Sequence, residues 1–215
     1  QKDLAQLSTW LRDPTVKWEK SIAHWIERDP TFVSADDASH DAGGALTEHL
    51  RFWFDVYWNP RIRRGCKLAP TDPEFVHINS LEFSVVILQL AAIVARLEQL
   101  RSDPSKGLHF FPDGPPDIPV WLGEADNTVS CSWETRATAK TAQGQGLVSV
   151  YAELLRRCNV HTCCKHLAGK LNILVGNSCR NSCGDLAGAP IPAHRRRSVR
   201  FRVPFLLLLG PQEYF

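Results

Sequence analysis

The chain has 215 residues, of which 44% are hydrophobic and 22% charged, with a formal net charge of +2. This suits a soluble globular protein long enough for one well-buried domain with additions, and it is marginal for two. The near-neutral balance supplies no global field that would argue for nucleic acid. Gln89 interrupts the apolar run VVILQLAAIVA, so no stretch reaches the roughly 18–20 residues of a membrane helix, and no membrane partner is expected.

Residues Leu4 to Arg28 place Trp10, Leu11, Trp18, Ile22, Trp25 and Ile26 at helical intervals, and Asp29-Pro30 ends that segment. Thr31–Ala35 reads as a short strand. It leads into SADDASHDAGG (Ser34–Gly44), where paired acids meet small residues and a glycine pair. Gly43–Glu48 and the aromatic Arg51–Trp58 read as two further strands, pairing antiparallel back on the first. Asn59-Pro60 breaks the run, and RIRRGCK (Arg61–Lys67) forms a basic cluster. Arg61, Arg63 and Arg64 are its candidate phosphate contacts.

Ile78 to Leu100 is the longest periodic segment, a helix with Leu81, Val85, Leu88 and Ala92 on one face and Asn79 or Ser80 as cap. Asp103 to Pro119 holds five of the fourteen prolines and reads as a loop. Val120–Ala125 reads as a strand ending in Asp126-Asn127. Helices are expected over Thr128–Ala137 and Gln145–Cys158, and a strand over Val160–Lys165, which gives way to HLAGKLN. Past Leu186 the composition changes to prolines, then HRRRSVRFR (His194–Arg202), then FLLLLG. Three antiparallel strands followed by strands alternating with helices predict an α/β fold with a mixed sheet.

Seven cysteines occur without a regular framework, and they read as reduced thiols of an intracellular protein, cytoplasmic or nuclear. HTCCKH (His161–His166) is a poor zinc site, because Cys163 and Cys164 would point to opposite faces of a strand. The chain begins at Gln1 and contains no Met, as expected of a fragment of a longer polypeptide.

Three acids stand at places where elements end or begin: Asp37 at the first strand, Glu82 in the first turn of the long helix, and Asp126 after the fourth strand. Singly, each has an ordinary structural use as a turn former, a helix-terminal charge or a cap. Together they could deliver carboxylate oxygens from different elements to one hard cation.

The segments DASHDAGG (Asp37–Gly44), INSLEF (Ile78–Phe83), ADNT (Ala125–Thr128) and HLAGKLN (His166–Asn172) resemble, in order and spacing, the RNase H domain of retroelement (retrotransposon) reverse transcriptases. The resemblance covers roughly residues 31–180. It implies a five-stranded mixed sheet flanked by helices. It also implies two-metal hydrolysis of the RNA strand of an RNA–DNA hybrid, with Mg²⁺ or Mn²⁺. On it, Asp37, Glu82 and Asp126 are the first three acids. Asp36 is the poorer first acid, since the family's pattern is Asp followed by Ala-Ser. His166 and Asn172 match the H-x-x-G-x-x-N segment, and Asn127 and Asn172 become candidate nucleic-acid contacts. The family's fourth Asp falls on Gly176, so one carboxylate is missing, although Arg180 still matches the trailing Arg.

The implied organisation is a helical linker over 1–30, an RNase H-like domain over 31–186 and a basic, then apolar, tail over 187–215, with a polymerase domain upstream in the same polyprotein. Two classes of function follow. One is a hybrid-cleaving ribonuclease with impaired chemistry, in which Asp37, Glu82 and Asp126 hold metal and His166 assists proton transfer or product release. The other is an inactive RNase H-like module that binds nucleic acid or supports a polymerase. Decay of the element, with a tail that has no selected role, is a third reading.

Overall fold

The computed structural model describes residues 29–47, 50, 52–103, 105, 111 and 118–168, with Ala5, Ser8, Thr9 and Arg12 beside them. Apart from those four positions, the helices expected over 4–28 lie outside the described residues. So do Asn172, Gly176, Arg180 and the tail from 187 onward.

Among the described residues the order is β1 (Phe32–Ala38), β2 (Ala42–Thr47), β3 (Phe52–Tyr57), α1 (Pro60–Gly65), α2 (Ile78–Ser102), β4 (Val120–Ala125), α3 (Thr128–Arg136), α4 (Ala142–Arg157) and β5 (His161–His166). The strands form one sheet in the order β3-β2-β1-β4-β5. β1 with β2 and β2 with β3 are antiparallel, while β1 with β4 and β4 with β5 are parallel. The fold is therefore the helix-flanked, five-stranded mixed α/β sheet expected from the strand and helix alternation.

The pleat explains how the sheet is buried. Along β1, Phe32, Ser34, Asp36 and Ala38 are buried, and the residues between them are half-buried. In-register pairing puts Trp121 beside Phe32 and Gly123 beside Ser34, on the same face of the sheet. Trp121 Nε1 donates to Ser34 Oγ at 2.6 Å, which satisfies both polar atoms inside the core.

α2 packs over β1 and β2, and α3 and α4 pack beside it. This central position requires an apolar surface on more than one side. By length and composition α2 could cross a membrane, contrary to the expectation that Gln89 breaks the run. However, 67% of its most apolar window is buried within the protein, as suits a core helix.

Gly43 and Gly44 lie inside β2, in keeping with the strand expected over Gly43–Glu48, and the turn is Ser39–Asp41. Gly43 is required by packing: a Cβ there would lie 2.4 Å from Val85 Cγ2 of α2 and 2.9 Å from Trp58 Cζ2. Ser39 Oγ and its backbone hold the turn through Ala42, and Trp58 Nε1 donates to Ser39 O at 2.8 Å.

Several element ends differ from expectation. Asn59-Pro60, read as a break, starts α1: Asn59 Oδ1 accepts from Ile62 N at 2.9 Å and Pro60 takes a first helical position. α2 is capped by His77, whose Nδ1 accepts from Asn79 N at 3.1 Å, in place of Asn79 or Ser80. α4 begins earlier than Gln145, because Thr141 caps it by accepting from Gly144 N at 3.0 Å.

Candidate metal centre

β1, β4 and β5 run parallel, so their C-terminal ends share one edge of the sheet. Open α/β sheets characteristically offer ligand sites along that edge. The antiparallel return after β1 brings the start of β2 to the same edge, and the N-terminal part of α2 arrives there too.

Asp37 is the next-to-last residue of β1, inside the strand and not beyond it. Adjacent strand residues face opposite ways, and this separates the two aspartates. Asp36 is 1% exposed, on the face covered by helices. Burial raises its carboxyl well above the usual range, and Glu82, Glu134, Cys131 and Asp37 push in the same direction. Asp37 is half-buried on the other side of the pleat.

Glu82 lies one turn further into α2 than expected, since the first turn carries no acid. It is 5% exposed, and its Oε2 has no hydrogen-bond partner. Burial pushes the carboxyl up to about 9, helped by the charges of Asp37 and Asp126 and opposed by a hydrogen bond from the Ala38 backbone. Asp126 follows directly after β4 and is half-buried.

Asp37, Glu82 and Asp126 each bring a carboxylate oxygen within 4.8 Å of the others. They are separated widely in sequence and meet only through the fold. Three hard oxygen donors at this spacing can hold a metal ion, and it is the one such group among the described residues. The buried, unpartnered Glu82 Oε2 fits a cation: without positive charge nearby, that oxygen has lost its water and gained no replacement.

Side chains around the acids brace the site. Asn127 Oδ1 accepts from Val129 N and Ser130 N at 2.9 and 3.0 Å, capping α3 in the place considered for Asp126. Asn127 Nδ2 donates to Asn79 Oδ1 at 3.0 Å, linking the start of α3 to the start of α2. The two segments that carry Asp126 and Glu82 are thus tied beside their acids. Ser80 donates to Gln143 Oε1 at 2.8 Å and joins α2 to α4. Sequence reasoning missed Asn79 and Gln143 as braces. Neither has a local signal, because each acts on a residue distant in the chain.

His166 ends β5 opposite Ala125, and its Nε2 lies 3.1 Å from the Asp126 carbonyl oxygen. The exposed imidazole therefore stands beside the third acid. Arg61, Arg63 and Arg64 lie exposed on α1. α1 follows the end of β3, which pairs Tyr57 with Ala42 and bonds Trp58 N to Asp41 O at 3.1 Å. The basic helix consequently starts near the same sheet edge as Asp37. Arg61 is paired with Glu74 at 3.0 Å. Asn172 lies outside the described residues.

No protein-family model matches the chain, and no curated protein is significantly similar to it.

Proposed function

We propose that the chain is the RNase H-like domain of a retroelement reverse transcriptase. It would hydrolyse the RNA strand of RNA–DNA hybrids with Mg²⁺ or Mn²⁺, with impaired chemistry. The observation that carries this reading is the convergence of Asp37, Glu82 and Asp126 at the C-terminal edge of a β3-β2-β1-β4-β5 sheet. All three donors are carboxylates, which suits a hard cation such as Mg²⁺ or Mn²⁺.

Bound there, the metal would supply positive charge against the negative charge that develops on the scissile phosphate. Asp37 and Asp126 would hold and orient it from strand ends, and Glu82 from the core helix α2. The Asp126 carbonyl can only accept, so His166 donates from Nε2. In the neutral ring Nδ1 is then the accepting nitrogen, free to take a proton from substrate or leaving group. Arg63 and Arg64, exposed near the same edge, would contact the phosphate backbone. A polymerase domain in the same polyprotein would be the natural partner of such a domain.

A second reading rests on Gly176, which stands where the resemblance requires a fourth carboxylate. With less negative charge, one metal position weakens, and the domain becomes a nucleic-acid-binding or structural module. A labelled RNA–DNA hybrid with Mg²⁺ or Mn²⁺ separates the two. Cleavage that disappears in Asp37→Asn supports the nuclease, and Gly176→Asp should then raise its rate. Tight binding of the hybrid without cleavage supports the module. Neither binding nor cleavage would remove both.

A further inference from the structure

Tyr57, at the end of β3, is the most exposed large hydrophobic side chain among the described residues, at 62%. Aromatic rings usually bury most of their area, so one held in solvent is informative. The pleat fixes where it stands. Phe54 is buried and Val56 packs against the core, so Asp55 and Tyr57 lie on the opposite face of β3. Asp55 pairs with Gly44, and Gly44 pairs with Asp37. Directly paired residues share a face, which puts Tyr57 on the same face as Asp37. Two strand spacings of about 4.8 Å and one two-residue step of about 6.8 Å place their Cα atoms about 12 Å apart.

α1 follows the ring after only Trp58 and Asn59. Ile62 and Cys66 pack inward. Gly65 presses on the 74–76 segment, where a Cβ would lie 2.7 Å from both Glu74 O and Val76 Cγ2. This seating turns Arg61, Arg63, Arg64 and Lys67 outward, and all four are exposed. The nearby acids are engaged: Glu74 pairs with Arg61 at 3.0 Å, and Asp72 Oδ1 accepts from Glu74 N at 2.8 Å. Arg63, Arg64 and Lys67 therefore present positive charge beside an exposed ring.

We propose that Tyr57 and α1 form a platform for unpaired nucleotides where a hybrid ends. The inference rests on reading the three acids as a hybrid-cleaving centre. Tyr57 stacks on a base, and Arg63, Arg64 and Lys67 hold the phosphates beside it. Asp55, between Tyr57 and Asp37 on this face, repels phosphate, so the backbone runs over α1 and the bases over the ring.

The spacing defines the substrate class. At about 3.4 Å per stacked nucleotide, 12 Å is about three to four nucleotides from a phosphate held at the acids. Inside a duplex, a base at that distance is already paired and stacked on its neighbours. The ring gains a partner only where pairing has stopped. The platform therefore favours hybrids whose paired region ends within about four nucleotides of the metal-bound phosphate. An RNA or a DNA extension offers the same π-faces and phosphates.

The test uses the full chain and labelled hybrids of one paired length: blunt, with an RNA extension, and with a DNA extension, each extension of roughly four nucleotides. Binding is read by anisotropy on ice with metal chelated, so that the hybrid stays intact. At least one extension should raise affinity about tenfold over the blunt hybrid, the size expected of one stacked base. Tyr57→Ala should remove that gain and Tyr57→Phe should keep it. The salt slope of the extended hybrid should not change in Tyr57→Ala, because no charge is lost. Equal affinity for blunt and extended hybrids, or a gain that survives Tyr57→Ala, overturns the platform. Cleavage of the blunt hybrid in a parallel assay with Mg²⁺ would then leave the nuclease reading standing. A Tyr57-dependent gain without any cleavage would keep the platform and remove the nuclease.

Discussion

Glu82→Gln gives the sharpest test of the metal centre, because the same carboxyl that would hold the cation should burden the metal-free fold. Folding moves Glu82 from its ordinary 4.5 to about 9, chiefly through burial. Below about pH 4.5 the group is protonated in both folded and unfolded chains and costs nothing. Between the two values the unfolded chain ionises while the folded one keeps its proton, so stability falls as pH rises. At pH 7 the difference is about 2.5 pH units, or about 3 kcal/mol. Gln carries no proton to lose. In urea unfolding with metal chelated, the variant should therefore gain about 3 kcal/mol on the wild type between pH 4.5 and 7. Added Mg²⁺ or Mn²⁺ should close most of that gap. It stabilises the wild type by about 2.7 kcal/mol at a hundredfold excess over Kd, and the variant by much less. Parallel pH curves for the two proteins, or equal stabilisation by metal, would falsify the account of Glu82 as a buried ligand.

Gly43→Ala puts a methyl group against Val85 and Trp58, at 2.4 and 2.9 Å before relaxation. It should cost about 1–3 kcal/mol in urea unfolding; a neutral result would mean that α2 is not seated on β2 as described. Asn127→Ala removes the α3 cap and the link to Asn79. It should lower stability by about 1–2 kcal/mol and also weaken metal binding by calorimetry, because Asp126 adjoins the cap. Unchanged metal affinity would show that the brace does not position the acid. Arg63→Glu with Arg64→Glu should weaken binding of a labelled hybrid and flatten its salt dependence by about two phosphate contacts. An unchanged salt slope in anisotropy titrations would place the nucleic-acid path elsewhere.

Much of this molecule follows from local pattern. The short apolar run Thr31–Ala35, helical spacing through Ile78–Leu100 and the strand and helix order after it determine the elements and the α/β class, because each depends on neighbours within a turn or a pleat. Asp37, which the resemblance favours over Asp36, is the aspartate of β1 that groups with Glu82 and Asp126. Tertiary packing decided the rest. Gly43 and Gly44 read as the start of a strand, but the need for glycine at 43 comes from a helix far along the chain that occupies the space beside it. Asn59-Pro60 reads as a break, yet in the fold Asn59 caps a helix by accepting from Ile62 N. The link between Asn79 and Asn127 and the distance among three carboxylates belong to no segment. Such contacts arise when parallel strands bring their ends to one edge, which depends on how the whole sheet is ordered.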